Sequence, residues 1–131
     1  MKVKDLPIPQ TRVRLPQRRK GYTQEMVIDG HLIHLKTGEF PDGSLGEIFV
    51  SLGKEGDLIS SLINSFCIVT SIELQSGTPL EDLVKNFIFT KFEPSGMVKH
   101  HPHIKMASSI LDAIFRDLAI NYLDRQDLKH G

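Results

Sequence analysis

The sequence predicts an α+β domain in which a small antiparallel sheet of about three strands is followed by three helices packed on one face. Two observations lead to this prediction. Strand-forming residues dominate between residues 22 and 52, whereas apolar residues at helical spacing dominate from residue 57 onward. Strands and helices that are segregated along a chain are typical of α+β domains rather than of alternating βαβ units. The length of 131 residues fits one such domain.

The first two strands are predicted on either side of Asp29-Gly30. Residues 22–28 and 31–36 are rich in strand formers. An Asp-Gly pair between two such runs is a strong hairpin signal, because both turn residues need positive φ. A third strand is predicted at 46–52, where alternate residues are apolar.

Apolar periodicity and end signals predict the helices. The first runs from Asp57, a suitable N-cap, to Gly77, a suitable left-handed stop. A short strand is considered at 88–93, and the third helix is expected at about 105–123.

The second helix has the clearest start signal. Thr78 is expected to be its N-cap, Pro79 its first residue and Glu81 the acid of a capping box. These three residues predict that the helix begins directly after Thr78.

By composition, the chain divides into three parts. Residues 1–20 are predicted to form a basic, proline-containing arm, because closely spaced prolines disfavour a helix. The arm's side chains are expected to add little to folding. Residues 21–123 are predicted to form the single α+β domain, and residues 124–131 a polar tail.

Composition also excludes several classes of protein. The formal net charge is zero, which argues against a nucleic-acid partner or a membrane-surface partner. No stretch approaches the roughly 18 apolar residues needed to cross a membrane, and no signal peptide is recognised, so a cytoplasmic protein is expected. The single cysteine, Cys67, excludes an intramolecular disulfide or dithiol, and its apolar neighbours predict a buried, inert thiol.

Candidate cofactor-binding residues come from two short segments. Arg18, Arg19 and Lys20 form a basic cluster that could bind phosphate or carboxylate; the alternative is a solvated arm without a partner. Lys54 and Gly56 precede the first helix, whose free N–H groups could bind a phosphate. The alternative there is an ordinary capped helix start.

The histidines do not predict a metal site. His100, His101 and His103 lie in one loop around a proline, without a recognised ligand spacing. We therefore expect no metal, and no residue is assigned a catalytic role.

Five segments together resemble one family. They are Leu-Pro-Gln-Arg-Arg-Lys-Gly at 15–21, Gly-Glu-Ile-Phe-Val-Ser-Leu-Gly-Lys-Glu-Gly at 46–56, Thr-Pro-Leu-Glu-Asp-Leu-Val at 78–84, Phe-Glu-Pro-Ser-Gly at 92–96 and the helix start at 107–116. In this order they resemble the TSCPD-type domain near the C-terminus of adenosylcobalamin-dependent (class II) ribonucleotide reductases. Here we expect that domain as a stand-alone small protein.

The resemblance implies fold and ancestry rather than activity. The family's large enzymes carry radical chemistry on a barrel with several cysteines and a cobalamin site, none of which this sequence supplies. We therefore expect a module that binds a nucleotide, another small anionic ligand or a reductase partner, and that is not a ribonucleotide reductase by itself. Its cofactor is unassigned. The 92–96 segment is predicted to bind substrate, through Phe92, Glu93, Ser95 and Gly96.

A small enzyme is the alternative interpretation. It would be an NADPH-dependent reductase of a pterin or folate, with dihydrofolate reductase-like activity, acting as a homo-oligomer. Hydride transfer needs no catalytic cysteine or metal, but it needs two flat ligands held face to face. A homo-oligomer is expected in either case, because a small sheet leaves an edge or a face uncovered.

Overall fold

Five strands and three helices make up the computed structural model, which describes residues 11–53 and 56–131. Strands β1 (Thr23–Ile28), β2 (His31–Glu39) and β3 (Leu45–Leu52) are followed by helices α1 (Asp57–Gln75) and α2 (Leu80–Phe87). Strands β4 (Gly96–Lys99) and β5 (Met106–Ala107) then precede helix α3 (Ile110–Tyr122) and a 3-10 turn (Gln126–Leu128). The fold is therefore α+β, as predicted.

One antiparallel sheet contains all five strands, in the order β3-β2-β1-β4-β5. The prediction of about three strands was too low. β4 has four residues and β5 has two, so neither is long enough to show a period-two pattern. β5 also shortens the third helix, which begins at Ile110 rather than at residue 105.

The predicted first hairpin is confirmed. β1 and β2 pair antiparallel, with Ile28 opposite His31. Both turn residues have positive φ, 47° at Asp29 and 80° at Gly30. This is the left-handed backbone that an Asp-Gly turn requires.

The helix ends differ in part from the predictions. Gly77 has φ of 100° and ends α1, with its N–H donated to the Leu74 carbonyl at 3.3 Å. The cap of α1 is Gly56 rather than Asp57. Pro79 rather than Thr78 is the cap of α2, because the Thr78 hydroxyl donates to the Glu73 carboxylate at 2.6 Å.

The segment considered as a strand at 88–93 is not one. Ile88 ends α2 in extended conformation, and Phe89 has a φ of 65° that breaks any strand. The 88–93 segment is linked to the edge of the sheet by the Phe92 N–H, which donates to the Ser108 carbonyl at 3.1 Å.

A single apolar core lies between the helices and one face of the sheet. Alternate strand residues, such as Met26 and Ile33, point into it and are fully buried. Phe115 and Leu118 of α3 face them from the helical side. The opposite face of the sheet is open, and Phe49 on it is 50% exposed.

Helix α1 is long and apolar enough, by length and composition alone, to cross a membrane, contrary to the sequence expectation. Its buried side is nevertheless bonded to β3. The Ser71 hydroxyl accepts the Ile48 N–H at 3.0 Å, and the Gln75 amide donates to the Gly46 carbonyl at 3.0 Å. These bonds make α1 part of the domain core.

Both terminal segments contact the domain. The Val13 N–H donates to the Gln75 carbonyl at 2.9 Å, which ties the described part of the arm to the end of α1. Leu128 is buried, and the His130 N–H donates to the His103 carbonyl at 2.8 Å. The three-part division of the chain stays a prediction.

Candidate functional site

A cleft of about 690 Å³ lies at the β5 edge of the sheet, next to the start of α3. We call it the Arg116 cleft, after the arginine that lines it. All four residues predicted to bind substrate line this one cleft. They are Phe92, Glu93, Ser95 and Gly96. The exposed ring of Phe89 also contributes to its wall.

The Arg116 guanidinium is the most buried positive charge in the wall of this cleft. Its side chain is 8% exposed, and it lies 3.5 Å from the Asp112 carboxylate one turn earlier on α3. One terminal nitrogen donates to the Leu128 carbonyl at 3.0 Å. The guanidinium carbon lies 5.2 Å from the centre of the Phe89 ring, a cation–π distance.

The Nε atom of Arg116 is buried and has no hydrogen-bond partner among the described residues. A buried N–H without an acceptor raises the free energy of the folded protein by about 1–3 kcal/mol. Because Arg116 lines the cleft, a ligand oxygen that reaches this N–H is a candidate acceptor for it.

His130 lies on the same cleft and is kept neutral. Burial first, and then the Arg116 charge, lower the pKa of its imidazole. Its Nδ1 accepts the Lys105 N–H at 3.0 Å, which also requires an unprotonated nitrogen. The cationic groups offered to a ligand here are therefore Arg116 and the exposed Lys91.

The basic cluster lines a second cleft of about 700 Å³, at the turn between β2 and β3. Arg18, Arg19 and Lys20 all line it, but so do the acids Glu39 and Asp42. The Arg116 cleft is built from β4 and β5 at the other end of the strand order. The two predicted groups of site residues therefore line separate clefts.

Arg19 is engaged within the domain. Its Nε and Nη2 donate to the two carboxylate oxygens of Glu47, which is 8% exposed, and its Nη1 donates to the Pro16 carbonyl at 2.8 Å. A Cβ atom on Gly38 would lie 2.2 Å from the Glu47 carboxylate, so glycine leaves room for this pair. The expectation that the arm's side chains add little to folding is therefore wrong for Arg19.

The segment before α1 holds the other two predicted cofactor-binding residues, Lys54 and Gly56. Lys54 lies outside the described residues. Gly56 is the cap residue of α1, and it does not line the Arg116 cleft or the basic-cluster cleft. A phosphate site at this helix start stays a prediction.

Sequence reasoning missed a buried polar network around His101. His101 is 4% exposed, and its Nδ1 accepts the N–H groups of His103 and Ile104, both at 3.0 Å. Its Nε2 therefore carries the proton and donates to Asp117 at 2.7 Å. The Tyr22 hydroxyl donates to the other Asp117 oxygen. Burial and the Asp117 charge raise the pKa of Tyr22 far above its usual value.

Two other histidines, His34 and His100, lie beside Glu25 on the open face of the sheet. His100 and His34 contact the two carboxylate oxygens of Glu25 at 2.7 and 3.2 Å. Hydrogen bonds from His100 and then His34 lower the pKa of that carboxyl. Among residues 11–53 and 56–131, no three His, Cys, Asp or Glu side chains are placed to hold a metal ion.

The fold and the clefts define a small α+β domain that presents cationic and aromatic side chains in surface clefts. The family model described as the TSCPD domain matches residues 4–122. The chain belongs to this family.

Its relatives are much longer proteins. The chain is 51% identical over 123 residues to a vitamin B12-dependent ribonucleotide reductase of Agrobacterium fabrum, covering 94% of this chain and 10% of the relative. A protein of the same name from Bradyrhizobium diazoefficiens is 52% identical over 119 residues, covering 91% of this chain and 10% of the relative. A protein of the same name from Streptomyces clavuligerus is 39% identical over 112 residues, covering 86% of this chain and 12% of the relative.

The chain therefore spans about a tenth of the length of the relatives it matches. No solved structure matches it.

Proposed function

We propose that this domain is a binding module, similar to the matching segment of vitamin B12-dependent ribonucleotide reductases, that holds a nucleotide in the Arg116 cleft. It does not reduce ribonucleotides by itself. The observation that carries the proposal is the buried Arg116, whose Nε has no partner among the described residues, beside two exposed aromatic rings.

The chemistry of the cleft fits the two parts of a nucleotide. Phe89 and Phe92 are 61% and 39% exposed, and exposed aromatic rings can stack on a base. Arg116 and Lys91 offer positive charge to a phosphate. Ligand clefts in general combine apolar walls with a few placed polar groups.

Glu93 gives the cleft a negative side as well. Its carboxylate accepts both the Ser95 N–H and the Ser95 hydroxyl, each at 3.1 Å. These bonds fix the 92–96 loop, so Glu93 is occupied by the loop itself rather than aimed at a ligand. A ribose hydroxyl is the ligand group best suited to any remaining acceptor capacity.

The test is a calorimetric titration of the protein with ADP and with inorganic pyrophosphate. The variants are Lys91→Ala and Phe89→Leu, both at exposed positions where folding is least disturbed. Each lost charge-assisted or stacking contact should weaken ADP binding by roughly ten-fold or more, since such contacts contribute about 1.5–3 kcal/mol. Phe89→Leu should not weaken pyrophosphate binding.

Arg18→Ala is the matched control, because Arg18 lines the other cleft. Binding that survives both cleft variants but is lost in Arg18→Ala would place the ligand at the basic cluster instead. No heat change with ADP at millimolar concentration would refute the proposal.

Other parts of the sequence interpretation stay predictions. No observation on the described residues favours the NADPH-dependent pterin or folate reductase, and NADPH belongs in the same titration as its test. A reductase partner and a cytoplasmic location are proposed with the module. The bonds that hold α1 in the domain core argue against a membrane-spanning α1.

A further inference from the structure

Helix α1 has an outward face that none of residues 11–53 and 56–131 covers. Leu58, Leu62, Ile68 and Val69 on this face are 73%, 61%, 51% and 58% exposed. Between residues 58 and 72 the helix contains no Asp, Glu, Lys or Arg. An uncharged helix face with four exposed apolar residues, interrupted only by serine and asparagine, is typical of an interaction surface rather than of scattered surface residues.

Four apolar residues of this face are arranged symmetrically about Ser65, whereas Val69 has Ser61 at its mirror position. Leu58 and Ile72 lie seven residues before and after it, and Leu62 and Ile68 lie three residues before and after it. In a helix, spacings of three, four and seven residues fall on one side. Two antiparallel copies crossing at Ser65 would therefore place Leu58 opposite Ile72, and Leu62 opposite Ile68.

We propose that two copies of this chain dimerise through α1, packed antiparallel across a two-fold axis at Ser65. A two-fold interface uses the same patch on both copies, and a pattern that repeats on reversal meets that condition. The patch carries no charge, and the chain has a formal net charge of zero, so two copies do not repel each other. This proposal is independent of the ligand.

The exposed apolar area on α1 sets the affinity that we expect for the dimer. The exposed apolar residues occupy one face of a single helix, which is smaller than the ~800 Å² per partner of a standard interface. We therefore expect a weak dimer, whose population rises over the micromolar range. A serine at the crossing allows the two helices to approach closely, as small side chains do at helix contacts.

Dimerisation would also shape a neighbouring groove of about 430 Å³. Ile59 and Leu62 of α1 line it together with Phe92, which also lines the Arg116 cleft. The partner's helix would lie next to this groove, at the rim of the cleft.

Sedimentation velocity between 5 and 500 µM tests the proposal. The wild type should shift from monomer to dimer, and Leu62→Glu and Ile68→Glu should weaken dimerisation at least ten-fold. Phe49→Glu is the control, because Phe49 is equally exposed but lies on the open face of the sheet. A wild type that stays monomeric at 500 µM refutes the dimer and assigns the face to another occupant. A dimer that both α1 variants retain, or that Phe49→Glu abolishes, refutes this interface.

Cross-linking gives a second test that does not depend on disrupting the surface. With helix axes 8–10 Å apart and a helix radius of 2.3 Å, the Cα atoms at the crossing lie about 3.4–5.4 Å apart, which overlaps the roughly 4.4–6.8 Å that a disulfide spans. Ser65→Cys should form a disulfide dimer under mild oxidation, and Ser51→Cys, an exposed serine on the open face of the sheet, should not. The natural Cys67 is buried and should not interfere. No Ser65→Cys dimer, or equal dimer from both variants, refutes the crossing point.

Discussion

The carboxylate of Asp112 joins the two chain segments that border the Arg116 cleft. One oxygen accepts the Phe89 N–H at 2.8 Å and the other accepts the Ser108 N–H at 3.0 Å. The same carboxylate lies 3.5 Å from the Arg116 guanidinium. One buried side chain therefore fixes both the aromatic wall and the cation of the cleft.

Asp112→Ala should destabilise the protein strongly. The change removes the acceptor of two backbone N–H groups and leaves the Arg116 charge buried without its partner, so about 3 kcal/mol or more of unfolding free energy should be lost. Urea denaturation measures the loss. Asp82→Ala, at an exposed position in the first turn of α2, is the control and should lower the free energy of unfolding by less than about 1 kcal/mol. Equal effects of the two changes would contradict the role given to Asp112.

Arg19→Ala should lower the melting temperature, whereas Arg18→Ala should barely change it. Arg19→Ala leaves the nearly buried Glu47 carboxylate without its cationic partner. Because the Arg19 side chain is 32% exposed, the free energy of unfolding should fall by about 1–2 kcal/mol rather than by the full cost of breaking a buried pair. Calorimetry of both variants measures the difference. Adding Glu47→Gln to Arg19→Ala should restore part of the stability, and a purely additive double variant would argue against coupling.

Cys67 should react very slowly with thiol reagents in the folded protein. The residue is 2% exposed, and burial raises the pKa of its thiol to about 11. At pH 8 only about a thousandth of it is thiolate, the reactive form. Absorbance assays with a disulfide reagent should show slow labelling in buffer and fast labelling in urea, with Ser51→Cys as an exposed reference. Fast labelling of native wild type would show that the helix opens readily.

The same thiol predicts a loss of stability at high pH. Its pKa in the folded state lies above the unfolded value of 9.0, so the folded state holds the proton more tightly. The stability that this raised pKa contributes to the folded state is fully present below pH 9 and should be lost as the pH rises toward about 11. Comparing wild type with Cys67→Ala over this range isolates the contribution, since the variant should lack that part of the decline.

Purified protein should form no deoxyribonucleotide from a ribonucleotide, with or without adenosylcobalamin and a reductant. This chain has one cysteine, so it cannot form a dithiol, and it spans about a tenth of the length of the reductases it matches. Chromatography of the nucleotides measures the product, with a full-length vitamin B12-dependent ribonucleotide reductase as the positive control. Product formed by this chain alone would overturn the interpretation as a module.

Local chemistry explains which parts of the fold were predictable. The Asp29-Gly30 turn and the stop at Gly77 depend on neighbouring residues only, and both were found. β4 and β5 depend on partners far along the chain, since β4 pairs with β1 some 70 residues earlier. Short strands of this kind carry no signal of their own.

The residues of the candidate site were also predictable only where the signal is local in the sequence. The 92–96 segment was chosen from the family resemblance and lines one cleft. The partner of Arg19 lies 28 residues away, and that of His101 lies 16 residues away on a helix. No spacing rule links such pairs, because only the tertiary fold brings them together.

The polar network around Asp117 also has a consequence for the order of folding. Tyr22 bonds to Asp117 across 95 residues, and Tyr122 bonds to Glu39 across 83 residues at 2.6 Å. The β1–β2–β3 hairpins can pair early, but α3 must be complete before these contacts close. Closing such long loops is entropically costly, so folding should be slow and cooperative for a domain of this size. During synthesis, the domain should therefore become stable only after the last helix has been made.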